Sequence, residues 1–150
     1  MVETQSKVDE QTIDRLCLKN SVPQRAISRV KQALELWSNS AIRQEALAHD
    51  VVIAESPFTL QVDSEYGNYV EGAIDLLATD PKSTHALVVD YKTGDKSLSH
   101  HQMQANFYAY VLMQHGFTKV ECAFVCVEVE EAGQPHVARY TFDVNHQPRL

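Results

Sequence analysis

Few folds tolerate a carboxylate and an ammonium where a wholly apolar strand ends, because each charge loses water there and needs a partner to offset the loss. This chain builds that arrangement. Ala86-Leu87-Val88-Val89 is short and β-branched, as a buried strand should be, and it runs directly into Asp90-Tyr91-Lys92-Thr93-Gly94. Side chains alternate along a strand, so Asp90 and Lys92 share one face and Tyr91 takes the other. Fifteen positions earlier lies Asp75, in Gly72-Ala73-Ile74-Asp75-Leu76-Leu77. Tyr69 to Leu77 is a second strand candidate, and the turn chemistry of Asp80, Pro81, Lys82 and Ser83 allows the two strands to fold as a hairpin. Asp75 then reaches Asp90. Two carboxylates with open oxygens suit Mg2+ or Mn2+, hard cations that keep several waters and bind substrate phosphate, with the lysine beside the metal-bound water.

Asp-x-Lys by itself occurs often by chance and usually marks a solvated strand end with a weak ion pair. Here it comes after Gly72-x-Ile74-Asp75 and before His101-Gln102-Met103-Gln104-Ala105-Asn106-Phe107-Tyr108, in which Gln104 and Tyr108 share one face of a predicted helix. Gly-x-Ile-Asp followed by Asp-x-Lys resembles the PD-(D/E)XK nuclease signature, and Gln104-x-x-x-Tyr108 resembles the helix motif of its RecB-like branch. Glu55-Ser56-Pro57-Phe58 is similar to the Glu-x-Pro-Phe element of the helicase-nuclease subunits AddA and RecB, and Leu36-Trp37-Ser38-Asn39-Ser40 is similar to their helix end. The similarity runs from Val8 to Glu128, and its order and spacing are more specific than any single element.

The resemblance implies an α/β fold, a restriction-endonuclease-like mixed β-sheet flanked by α-helices. It also implies hydrolysis of a DNA phosphodiester with Mg2+ or Mn2+ held by Asp75, Asp90 and the backbone carbonyl of Tyr91. Lys92 would orient the attacking water and stabilise the transition state, and Gln104 and Tyr108 would position the lysine or the DNA backbone. Glu55 could support the metal ligands or simply cap a strand at the surface. The implied role is that of an exonuclease module of a helicase-nuclease in double-strand-break repair and recombination, working with a helicase portion of its parent chain or a partner subunit. One departure stands out: the family's early Gly-x-x-x-His element, whose histidine is a metal ligand, has no counterpart here. The expectation is a single domain over residues 1–150 that is a C-terminal fragment lacking its first helix. A catalytically inactive module for DNA binding or protein interaction is the alternative.

Length and composition fit that expectation: 150 residues with 44% hydrophobic content make one ordinary globular core. The chain has no apolar stretch of about 18 residues, and its first residues lack the pattern of a signal peptide, so no membrane partner and a cytoplasmic location are expected. A net charge of -7 argues against this piece gripping DNA unaided, because non-specific affinity comes from cations that release phosphate counterions. Cys17, Cys122 and Cys126 read as packing residues rather than disulfide or metal partners. Gly94-Asp95-Lys96-Ser97 superficially resembles a phosphate loop, but Asp95 interrupts it and the upstream glycine is missing. His100-His101 reads as a solvated helix start, since adjacent helix positions point apart.

The remaining pattern predicts a short helix from Val8 to Leu18 and a Ser21-x-x-Gln24 capping box with Pro23 in the first turn of the main helix. Ile27, Val30, Leu34 and Trp37 form its core stripe, with Arg25, Arg29, Lys31 and Glu35 left to solvent. Trp37 continues the stripe and so reads as packing rather than base stacking. Strands are expected at Val51–Ala54, Phe58–Val62, Tyr69–Leu77, His85–Lys92, Val120–Val129 and His136–Phe142. Turns are expected at Gly67-Asn68 and Gly133-Gln134-Pro135, and Ser97 or Ser99 should cap a helix that runs to about His115, with Gly116 as its left-handed end.

Overall fold

The computed structural model describes residues 10–63, 68–93 and 101–149. Along them run α1 (Glu10–Lys19), α2 (Gln24–Ser38), α3 (Ala41–Leu47), β1 (Val51–Asp63), β2 (Asn68–Asp80), β3 (His85–Lys92), α4 (His101–Gln114), β4 (Lys119–Glu131) and β5 (Gln134–Phe142). The strands form one sheet in the order β1-β2-β3-β4-β5. β3 and β4 are parallel and the other neighbours antiparallel. A parallel pair cannot be closed by a tight turn, and α4 supplies the crossover.

Each face of the sheet has its own core. On one, Ala105, Tyr108, Ala109 and Leu112 of α4 pack against Val88, Cys122, Phe124 and Phe142. On the other, Ile42 and Ala46 of α3, with Trp37 of α2, cover Leu76, Leu87, Val89, Ala123 and Val125. β3 and β4 are thus covered on both sides, which is why they read as unbroken apolar runs rather than alternating ones. Burying each such side chain stabilises the fold by about 1.5–3 kcal/mol. All three cysteines are buried, as expected of packing residues.

Ser40 joins α2 to α3. Fully buried, its hydroxyl donates to the Trp37 carbonyl at 2.7 Å and accepts from the Arg43 N–H at 3.2 Å, a helix cap worth about 1 kcal/mol. Helix α3 was not among the predicted elements. The expected capping box at Ser21 does not form: Ser21 sits at φ 56, and Pro23 is the N-cap, without a side-chain hydrogen bond. The stripe of α2 is half-buried, and two of its supposed solvent residues have partners, Arg29 with Glu128 at 2.7 Å and Lys31 with Asp14 at 2.9 Å.

The two strands predicted at Val51–Ala54 and Phe58–Val62 are one strand. Pro57 lies inside it, which is tolerated because β1 is an edge strand, where a missing N–H can fall on the solvent side. The turn before β5 lies one residue earlier than expected. Ala132 and Gly133, at φ 52 and φ 81, make a two-residue turn, while Gln134 and Pro135 belong to β5. Asn68 opens β2, whereas Gly67, the phosphate-loop-like Gly94 to Ser97, and Ser99 lie outside the described residues.

The β1–β2 ladder carries one irregularity that matters for the site. Its register is the same on both sides of Glu55 and Asp75, with Ala54 opposite Leu76 and Ser56 opposite Ile74. The faces nevertheless exchange there: Val52, Ala54, Leu76 and Ala78 join the core under α2 and α3, whereas Phe58 and Ile74 join the core under α4. Residues two apart on a strand normally share a face, so the backbone must rotate between them. Glu55, at φ 53, marks the rotation.

Candidate active site

The β2–β3 ladder stops at the Leu76 and Val89 pair, immediately past that rotation. From there the Asp75 side chain takes over, its Oδ2 accepting the backbone N–H of Tyr91 at 2.9 Å. A carboxylate thereby stands in for a ladder carbonyl and is fixed beside the end of β3, where Asp90 and Lys92 emerge on the α4 face.

Asp90 is buried, at 5% exposure. Its Oδ1 lies 2.9 Å from Lys92 Nζ, and its Oδ2 accepts the Tyr108 hydroxyl at 2.7 Å. Lys92 Nζ also donates to Gln104 Oε1 at 2.9 Å, and Gln104 Nε2 donates to the Tyr108 oxygen at 3.0 Å. Asp90, Lys92, Gln104 and Tyr108 therefore close a ring in which each side chain is bonded to the next. The face-sharing of Asp90 with Lys92, and the one-turn spacing of Gln104 and Tyr108, are what make closure possible. Phe124, the β4 partner of Asp90, lies beneath, with Lys92 Nζ 5.7 Å from its ring centroid. An ammonium has three donors, and the ring commits two of them. With the Lys92 side chain 30% exposed, the third can meet a solvent-side ligand.

The surroundings keep the hydroxyls and thiol neutral. Burial, followed by the hydrogen bond to Asp90, lifts the Tyr108 phenol well above its ordinary 10, so it serves as a donor throughout the neutral range. Tyr91 is raised by burial and then by Asp75, with Arg43 opposing, and its ring meets Trp37 edge-on at 4.9 Å. Cys122 is pushed up to about 12 by burial, then Asp90 and Glu121, which makes it an inert thiol.

Of the residues singled out from sequence, Asp75, Asp90, Lys92, Gln104 and Tyr108 come together. Tyr91 lies between them with its side chain on the opposite face, as expected. Glu55 is exposed and opposite Asp75 in the β1–β2 register. The solvated reading of His101 is corrected: it is 5% exposed and stacks on Phe124 at 4.7 Å with 4° between the planes. His100 is outside the described residues. Phe124 was missed as a site residue, because nothing in an apolar run announces which member will pair with Asp90 across a parallel ladder.

Among the described residues, no group of three His, Cys, Asp or Glu side chains could hold a metal. The donors present are two carboxylates and the nearby backbone. Both Asp90 oxygens are oriented by hydrogen bonds, yet each carboxylate retains further lone pairs, and hard oxygen donors of this number suit a divalent cation that keeps much of its water.

Comparison with known proteins adds the following. The sequence model of the PD-(D/E)XK nuclease superfamily matches residues 2–147. No curated protein sequence matches the chain. Among solved structures, a "Putative exonuclease" from Eubacterium rectale is similar at a TM-score of 0.53 and 15% identity, covering 91% of this chain and 55% of that one. The protein SSO0001 is similar at 0.47 and 17% identity, covering 94% of this chain and 61% of that one. The chain thus spans little more than half the length of these neighbours. The five-stranded mixed sheet with flanking helices is the restriction-endonuclease-like fold expected from the sequence. No helix among the described residues is long and apolar enough to cross a membrane.

Proposed function

Because the chain belongs to the PD-(D/E)XK nuclease superfamily, we propose that it hydrolyses DNA phosphodiester bonds with Mg2+ or Mn2+ held by Asp75, Asp90 and the backbone carbonyl of Tyr91. The observation that carries this reading is the closed ring of Asp90, Lys92, Gln104 and Tyr108 beside the anchored Asp75. When bound, the cation would lower the pKa of the attacking water and polarise the phosphate.

Everything else falls to the chain's own groups. Asp90 and Gln104 fix the ammonium of Lys92 in one direction, so its third N–H orients the water or meets a non-bridging phosphate oxygen as charge develops there. A preoriented donor of this kind contributes roughly a hundred- to a thousandfold in rate. Tyr108 holds the second Asp90 oxygen and, through Gln104, keeps the lysine from swinging away. Asp75 is positioned by a backbone N–H and therefore costs no reorganisation on metal entry.

The finer role we assign is that of an exonuclease module of the RecB-like kind, acting in the cytoplasm in double-strand-break repair and recombination. Motif order supports it, as does the net charge of -7, which leaves the grip on long DNA to a helicase portion of the parent protein or a partner subunit. A second reading, a nuclease fold used for binding without turnover, is favoured by the lack of a three-residue metal cluster among the described residues.

Cleavage of linear single- and double-stranded DNA in Mg2+ or Mn2+, compared with Lys92→Ala and with a version extended at the amino terminus, separates the two. Activity lost in Lys92→Ala supports catalysis at this ring. Activity only in the extended version locates a missing ligand upstream. If neither version cuts DNA, even beside a helicase partner, the binding module is the correct reading.

A further inference from the structure

Across α4 from the catalytic ring lies a second cleft, of about 490 Å3, between that helix and the segment after β5. Gln104 and Tyr108 lie on one flank of α4. Gln102 and Asn106 each precede one of them by two residues, roughly 200° around the helix, and so lie on the other flank. Asn145, His146, Gln147 and Arg149 face them.

The chemistry of this wall is unlike that of the whole chain. The sequence has 20 Asp and Glu against 13 Lys and Arg, yet the described residues that line the cleft bring a guanidinium, an imidazole and four carboxamides, with no carboxylate side chain among them. The nearest acid in sequence, Asp143, is turned to local use, its Oδ1 accepting the N–H groups of Asn145 and His146 at 2.8 and 2.9 Å. Gln102 Nε2 donates to Asn106 Oδ1 at 3.2 Å, which occupies the Asn106 carbonyl and leaves its amide N–H groups to donate elsewhere. His146 stacks on Phe142 at 5.8 Å and 21°, which ties the segment to the end of β5. Donors of this mix match phosphate and sugar oxygens.

The cleft is also in line with the site. His101, the first residue of α4, stacks on Phe124, and Phe124 is the β4 partner of Asp90. The start of α4 is therefore level with the catalytic carboxylate, and the cleft is one helix diameter away. At about 10 Å, that distance corresponds to roughly three nucleotides.

We propose that this cleft holds the sugar-phosphate backbone of the DNA substrate a few nucleotides from the bond met by Lys92. Arg149 is the charged phosphate contact, and Gln102 and Asn106 are neutral donors. The inference rests on the nuclease reading for its substrate but not for its test. Binding of a fluorescently labelled single-stranded oligonucleotide is measured by anisotropy in EDTA, so that no cleavage occurs, for the full chain, Arg149→Ala and Gln102→Ala/Asn106→Ala.

Arg149→Ala should weaken binding several-fold at low salt and reduce the slope of log affinity against log salt by about 0.7, the value for one phosphate contact on a single strand. The amide pair should weaken binding with the slope unchanged. Gln102 and Arg149 are exposed and Asn106 half-buried, so an unaltered circular dichroism spectrum and Tm check that the fold is intact. No binding by the full chain, or equal affinity and slope in all three, overturns the proposal. Arg149-dependent binding with no cleavage in any metal, by this chain or by the version extended at its amino terminus and even beside a helicase partner, would sink the nuclease reading and leave the cleft standing. Cleavage dependent on Lys92 with binding indifferent to Arg149 would do the reverse.

Discussion

Tyr108→Phe deletes one oxygen from the centre of the ring and leaves the aromatic packing in place. That oxygen gives a 2.7 Å hydrogen bond to a buried carboxylate and receives one at 3.0 Å from Gln104. A hydrogen bond to a charged group contributes about 1.5–3 kcal/mol, and its loss here leaves Asp90 Oδ2 and Gln104 Nε2 both short of a partner. Lys92 still holds Asp90 Oδ1, which limits the loss, so we expect destabilisation of about 2 kcal/mol. For a domain of this size that lowers Tm by roughly 4–8 °C, or the urea midpoint by about 1 M. Trp37, the single tryptophan, packs on Tyr91 beside the site and gives the fluorescence signal for urea unfolding. Tyr110→Phe, the same change on the same helix away from the ring, is the control. If the two variants unfold within about 0.2 M of each other, the ring is not holding Asp90 and the positioning role assigned to Tyr108 fails.

Other expectations follow from the same contacts. Cys122 carries a thiol pKa raised from its ordinary 9 to about 12, so the unfolded chain loses this proton first as pH rises. The stability present below pH 9 is then lost towards pH 12, at about 1.4 kcal/mol per pH unit; Cys122→Ala should show a shallower alkaline slope in urea titrations between those limits, and an identical slope would refute the assignment. Glu55 holds φ 53, which costs a non-glycine residue about 1 kcal/mol, so Glu55→Gly should raise Tm, whereas Glu55→Gln should leave Tm unmoved and report on the carboxylate through cleavage alone. A Cβ at Gly72 would stand 2.7 Å from Phe58 Cζ, so Gly72→Ala should cost about 1–3 kcal/mol by displacing that ring from Tyr108, and Phe58→Leu in the same chain should recover part of the loss.

The hairpin of β2 and β3 was legible because its signals are local: an apolar run, turn residues and a two-residue alternation. The shared face of Asp90 and Lys92 was legible in the same way, whereas Gln104 and Tyr108 were singled out by their resemblance to a family motif, with spacing adding only that they share a helix face. The end of α2 was legible in Leu36 to Ser40, but α3 was hidden because Ser40 starts it through burial and two hydrogen bonds that Asn39-Ser40 does not advertise. β1 was cut in two at Glu55-Ser56-Pro57, which stay in the strand because it is an edge. His101 looked solvated because its cover, Phe124, arrives from 23 residues later through a parallel pairing. For β1 and His101 the missing information was which distant element lies alongside, and a single sequence carries little of that.

The exchange of faces at Glu55 and Asp75 divides β1 and β2 into two parts with different mechanical lives. Below it, β2 is clamped between β1 and β3. Beyond it, from Ser56 and Ile74 outwards, the two strands pair with each other and, among the described residues, with no third strand. Two-stranded ribbons are marginal by themselves, and this one is tethered by Phe58 against Phe107 and Tyr108. The outer ribbon is thus an arm on a hinge, able to open at a small fraction of the free energy needed to unfold the sheet. Its tether lands on the tyrosine that holds Asp90, so a displacement of the arm would reach that buried carboxylate through two contacts, Phe58 to Tyr108 and Tyr108 to Asp90.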